Sequence, residues 1–209
     1  MLKVEHNVIG MCGTNTYYAY DEESREAVII DPAGDHMRII DRVNKLGLKP
    51  VAILVTHGHF DHILALDEVR SHFGIKAYAG VNERSVLKDS TVNLSAGFAG
   101  LGYCTEADVY LNDGEEVELA GYKIKALEVP GHTVGGMCYY FENAGIVFSG
   151  DTLFSESIGR TDFPGGSLAA LINGIKDKLY TLPDETVVYP GHAEATSIAR
   201  EKKYNPFIR

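Results

Sequence analysis

The chain predicts an α+β fold built from two halves of similar order. Three observations carry this. Each half begins with short β-branched or alternating runs, passes into a helical pattern, and returns to an apolar strand. In both halves that last strand runs directly into a turn bearing histidine. At 209 residues the chain is long enough for a substantial core in one domain, 1–209.

The elements follow in order. Strands are expected at 4–9, 15–20 and 27–31, then a helix at 35–45 that Gly47 can stop. The β-branched run 51–55 is a strand, a helical pattern continues to Phe73, and 75–79 is again a strand. The second half reads as strands at 117–119, 122–129, 137–141 and 146–149, a helix at 168–180, a strand at 186–189 and a short helix at 193–202. The stretches 90–108 and 154–166 are rich in glycine and lack periodicity. Loops of that length in a compact domain are usually lids or binding loops, or else tolerated surface.

Composition excludes several classes of function. Net charge is −10, which argues against nucleic acid, whose affinity rests on Lys and Arg at phosphates. No apolar tract is long enough to cross a membrane, and Met1-Leu2-Lys3-Val4-Glu5-His6 has no signal-peptide core. Cys12, Cys104 and Cys138 are odd in number and scattered, as in a reducing cytoplasm. Each is read as a small buried hydrophobe.

The chemistry lies in the histidines. Thr56-His57-Gly58-His59-Phe60-Asp61-His62 follows the strand 51–55 directly. Period-two spacing lets His57 and His59 face one side, while Asp61 and His62, at the start of a helix, can turn to a second point. Val129-Pro130-Gly131-His132 and Tyr189-Pro190-Gly191-His192 repeat a strand, a Pro-Gly turn and a histidine, and Phe148-Ser149-Gly150-Asp151 does so with a carboxylate. A lone His-x-His is more often surface or core. Seven candidates at strand ends are too many for one structural ion, and structural zinc sites are rich in clustered cysteine. Imidazole and carboxylate suit zinc, iron or manganese. His6, His36 and His72 lie outside these motifs.

On these motifs the chain resembles the metallo-β-lactamase-fold hydrolases, and the match runs over nearly its whole length. The resemblance implies a four-layer α/β/β/α sandwich and two divalent ions, zinc first, with iron and manganese also possible. It would place His57, His59 and His132 on one ion and Asp61, His62 and His192 on the other, with Asp151 bridging. Within the family, Gly150-Asp151-Thr152-Leu153-Phe154 and Gly159-Arg160-Thr161-Asp162-Phe163 look most like the glyoxalase II branch. That implies cleavage of a hydroxyacylglutathione-type thioester by a hydroxide on the metals, with Asp61 and Asp151 as catalytic residues. A cytoplasmic enzyme acting on a small molecule is the expectation. The chain departs from the branch at Val134, where proline commonly follows Gly-His-Thr, and after His192. Only residues 193–209 follow His192, too few for the added C-terminal helical domain of glutathione-specific members.

Secondary roles stay open at this level. Asp31 either orients a ligand histidine or merely opens an Asp-Pro turn. Arg160 either binds a substrate carboxylate or pairs with Asp162. Tyr103 is a weaker substrate candidate. The competing readings are a mononuclear iron persulfide dioxygenase using His57, His132 and Asp151, a lactonase or phosphodiesterase on the same centre, and a metal-binding module without catalysis.

Overall fold

The computed structural model describes residues 1–208, Ala99 by its backbone alone. Six strands form the first sheet in sequence order: β1 (Leu2–Ile9), β2 (Thr14–Asp21), β3 (Glu26–Ile30), β4 (Lys49–Leu54), β5 (Lys76–Gly80) and β6 (Val109–Leu111). The first three pair antiparallel and the remainder parallel. The second sheet holds β7 (Glu116–Leu119), β8 (Tyr122–Glu128), β9 (Met137–Phe141), β10 (Ile146–Gly150), β13 (Val187–Pro190) and β14 (Thr196–Ser197), in the order β14-β13-β10-β9-β8-β7. A small hairpin, β11 (Leu153–Phe154) with β12 (Ser157–Ile158), stands beside it.

Period-two alternation sorts the side chains into three cores, one for each interface of a four-layer stack. Tyr17, Ala19, Val28, Ile30 and Leu54 meet Ile124, Ala126, Tyr139, Phe141 and Phe148 between the sheets. Tyr18, Ile29 and Ile53 face the other way, onto Ile39 and Val43 of α1 (His36–Leu46) and Leu66 and Val69 of α3 (Leu66–Phe73). Cys138, Tyr140, Val147 and Val188 cover the outer face of the second sheet against Leu171 of α5 (Leu168–Gly174) and Ile198 of α6 (Ile198–Tyr204). The expected α/β/β/α sandwich is the fold observed.

Local chemistry sets the helix ends. The Asp35 carboxylate accepts from the Arg38 amide to cap α1, and Gly47 closes it in a left-handed conformation. Ser167 and Ser197 cap α5 and α6 in the same way. Four details differ from the sequence reading. The helix expected up to Phe73 is two, α2 (Phe60–Ile63) and α3, because the Ala65 amide leaves the helical ladder for the Pro32 carbonyl. Residues 193–197 are not helical: Ala193 has a φ of 62°, and Thr196–Ser197 pair with β13 as an edge strand. The helix expected at 168–180 widens after Gly174, where the Tyr180 amide reaches back to Ile175. The strand β6 was not expected; at three residues it shows no periodicity and exists through pairing with β5.

Candidate metal centre

All seven candidate ligands lie where the two sheets meet at the ends of β4, β8, β10 and β13. Three backbone bonds stitch this edge: Met137 amide to Thr56 carbonyl, Asn15 amide to Gly191 carbonyl, and Gly191 amide to Gly150 carbonyl, all 2.7–2.8 Å. Close approach here demands glycine. A Cβ on Gly150, whose φ is +49°, would lie 2.3 Å from Thr56 Oγ1, and one on Gly191 would lie 2.3 Å from Asp151 Oδ1.

The ligand atoms fall into overlapping groups. His57, His59 and His132 form one, Asp61, His62 and His192 another, and His57, His62 and Asp151 span them, with atoms of each group within 4.8 Å of one another. Asp151 sits between. Its Oδ1 is 3.4 Å from His62 Nε2, and its Oδ2 is 3.4 Å from His192 Nε2 and 3.6 Å from His132 Nε2. Asp61 Oδ2 lies 3.3 Å from His192 Nε2.

The residues fit a divalent ion by a direct test. His57 Nε2, His62 Nε2 and Asp151 Oδ1 are buried without a hydrogen-bond partner among the described residues. Polar atoms in a dry centre are costly unless something compensates them, and a cation does so.

Electrostatics divides the two groups. Burial drives the His57 imidazole well below its usual value, and neighbouring imidazoles add to it; His59 is pushed down to about 3 for the same reasons, and burial lowers His132 as well. The first group therefore presents neutral imidazoles. Burial opposes charge on His62 and His192 too, but Asp61 and Asp151 outweigh it, raising His62 well above its usual value and His192 to about 9. Reciprocally, burial raises the two carboxyls, yet these histidines hold Asp61 down to about 2 and Asp151 well below the carboxylate range.

A layer of partners aims the rings. Asp31 Oδ2 lies 2.9 Å from His62 Nδ1 and accepts from the Thr56 hydroxyl at 2.6 Å, while Asp31 Oδ1 accepts from the Thr56 amide at 2.7 Å. Because that hydroxyl donates to Asp31, His57 Nδ1–H, at 3.1 Å, donates to Thr56 Oγ1. One carboxylate thus orients two imidazoles and turns each Nε2 inwards. Asp31 itself takes a φ of 51° where the chain leaves β3 ahead of Pro32, a left-handed conformation that aspartate tolerates. His132 Nδ1–H donates to the Arg160 carbonyl at 2.7 Å.

A cleft of about 320 Å³ opens over the centre. Both long loops line it: Leu94 and Phe98 from the first, Phe154, Ser157, Ile158, Arg160 and Phe163 from the second. The Phe98 ring, mostly exposed, stacks at 6.3 Å on Phe60 and meets Phe163 edge-on at 6.0 Å. The Phe163 ring in turn stands 5.5 Å from His59. A larger hollow of about 430 Å³ lies elsewhere, and no candidate ligand borders it.

The remaining candidates are placed as follows. Tyr103 is not among the residues lining the cleft; its hydroxyl donates to Asp67 at 2.9 Å and its ring packs against the first core, so it serves packing. Arg160 borders the cleft, yet its guanidinium is bidentate to Asp162 at 2.8 and 3.0 Å and lies 4.2 Å over the Phe163 ring. Of the cysteines only Cys138 is buried; Cys12 and Cys104 are exposed, and Cys12 lines the cleft. Sequence reasoning missed Phe98 and Phe163 individually, although it marked their loops. It also missed Glu83, which in Val81-Asn82-Glu83-Arg84 looks like an ordinary solvated acid.

The fold and this cluster define a class, the metal-binding hydrolases of one superfamily. Residues 9–192 match the model of the metallo-beta-lactamase superfamily, and the chain belongs to it. Among its relatives, the probable metallo-hydrolase YqgX of Bacillus subtilis is 38% identical over 201 residues, 96% of this chain and 94% of that protein. The hydroxyacylglutathione hydrolase GloC of Haemophilus influenzae is 36% identical over 200 residues, 93% and 92% of the two chains. Of solved structures, the BLEG-1 B3 metallo-beta-lactamase has a TM-score of 0.94 at 38% identity over 99% of both chains. TTHA1623 in a di-iron-bound form has a TM-score of 0.86 at 32% identity, covering 98% of this chain and all of that one.

Proposed function

We propose that the protein is a binuclear metallohydrolase that cleaves a small thioester of the hydroxyacylglutathione type. The observation that carries this is the position of Asp151, whose two oxygens face histidines of both ligand groups. His57, His59 and His132 would hold one ion, Asp61, His62 and His192 the second, and Asp151 would bridge. Zinc is the first candidate; the di-iron form of TTHA1623 supports iron as an alternative. The likeness to GloC supports the thioester.

When bound, a pair of divalent ions lowers the pKa of a water towards neutrality and polarises a carbonyl. The chain's own residues do the rest. Asp31, Thr56 and the Arg160 carbonyl hold the imidazoles in the tautomer that leaves Nε2 free. Asp61, lower in pKa than its usual value, is a charged acceptor able to orient the attacking water. The aromatic walls, Phe60, Phe98 and Phe163, keep bulk water from the reacting carbonyl. Among the residues lining the cleft, Asp61 and Asp151 are the only carboxylates, and as candidate ligands they leave no carboxylic acid to serve as a separate general acid. A thiolate leaves without one, which favours a thioester over an amide.

One observation favours a second reading: the likeness to BLEG-1, a metallo-beta-lactamase, supports a cyclic amide as substrate, and a lactone offers the same kind of cyclic acyl bond. Metal analysis of the protein from its own host, with turnover of S-lactoylglutathione, a lactone and a β-lactam side by side, separates the two. About two ions per chain and preferred thioester cleavage are expected. Asp151→Asn should then cost more than the about 10–100-fold that loss of an outer partner costs. Preference for the lactam or lactone would install the second reading. One iron per chain with oxygen uptake on glutathione persulfide would overturn both.

A further inference from the structure

A buried carboxylate outside the candidate ligand set touches both loops of the first ligand group. Glu83 follows β5 in the turn Val81–Glu83 and is wholly buried. Its Oε2 accepts from the Gly58 amide at 2.6 Å. Its Oε1 accepts from the Gly135 amide at 2.8 Å and the Thr133 hydroxyl at 2.6 Å. Gly58 separates His57 from His59, and Thr133 follows His132. One side chain therefore spans the two segments that carry all three histidines of that group.

The contacts specify a carboxylate. Backbone amides can only donate, and the two reach different oxygens, so both oxygens must accept. Glutamine could satisfy one amide and would turn its own NH₂ towards the other. The charge is also notable. Among the described residues no Lys or Arg pairs with Glu83, and burial raises its carboxyl. A buried charge without a partner is unfavourable.

We propose that Glu83 is a positioning residue for the group His57, His59 and His132: it fixes the separation of their two loops and sets a negative charge behind them that a dication there would offset. This rests on the metal-centre reading and is independent of the substrate.

The test measures zinc affinity by competition with a chromophoric chelator, with Glu83→Gln placed in two backgrounds. In His192→Ala the second group is broken, and Glu83→Gln should weaken the remaining site by about 10–100-fold. In His59→Ala the first group is broken, and Glu83→Gln should leave affinity essentially unchanged. Glu83→Asp, which keeps both acceptors on a shorter arm, should recover part of the loss, and is read alone if Glu83→Gln does not fold. Leu179→Ala, a change in the outer core of the second sheet, whose members include no residue of either loop, controls for lost stability. The proposal is overturned if Glu83→Gln weakens both backgrounds alike, leaves the first group intact, or is matched by Leu179→Ala. Wild-type protein that takes up no zinc would overturn the metal centre and this proposal with it.

Discussion

Protonation decides how the two ligand groups behave. A metal ion needs a neutral imidazole, so binding at a protonated histidine releases a proton. His192, raised to about 9, and His62, raised well above its usual value by the same carboxylates, are protonated in the metal-free protein at neutral pH. Affinity at their group should fall steadily as pH drops below about 9 and the proton competes. The first group, with His59 held down to about 3, carries no such proton and should bind almost independently of pH near neutrality. Calorimetry at pH 7 in buffers of different ionisation enthalpy checks this. Proton release should accompany one of the two binding events; equal release by both would contradict the division.

At the scale of elements, strands supply rigidity and loops supply recognition. The candidate ligands stand at the ends of paired strands, whereas much of the cleft wall comes from the two glycine-rich loops. Phe98, mostly exposed on the first loop, stacks on Phe60 and meets Phe163 edge-on at the rim. Phe98→Ala should raise KM about two- to tenfold with kcat little changed, the worth of an aromatic contact of about 0.5–1.5 kcal/mol. A matching fall in kcat would show instead that the loop positions the reacting groups. The helix caps are a separate matter. Ser167→Ala should cost about 1 kcal/mol of stability in denaturant unfolding and leave metal uptake alone.

For the whole molecule, the proposed centre would also fasten the two sheets together. Candidate ligands follow strands of both sheets, and several of their polar atoms have no hydrogen-bond partner among the described residues. Ion binding should therefore stabilise the sandwich, by about 2.7 kcal/mol for each site when free metal is a hundredfold above Kd. Scanning calorimetry with and without chelator measures this. A melting temperature indifferent to chelator would mean that the sheets hold this edge without the ion. No helix among the described residues is long and apolar enough to cross a membrane.

Much of this was legible in the residues. The ligand motifs are local, each a strand followed within a few residues by glycine and then His or Asp, so spacing alone marked them. Strand and helix patterns are local as well, and the apolar periodicity of Ala27–Ile30, Ile39–Val43 and Ala52–Val55 survives as buried faces. What the tertiary structure decided is whatever depends on residues far apart in sequence. Glu83 meets Thr133 and Gly58, Asp31 meets His62, and Tyr103 turns to Asp67 instead of the cleft. Strand β6 and the edge pair Thr196–Ser197 exist through the partners beside them. A side chain's type limits what it can bond, but which group it meets, and whether water is excluded there, is set only when the two sheets close on each other.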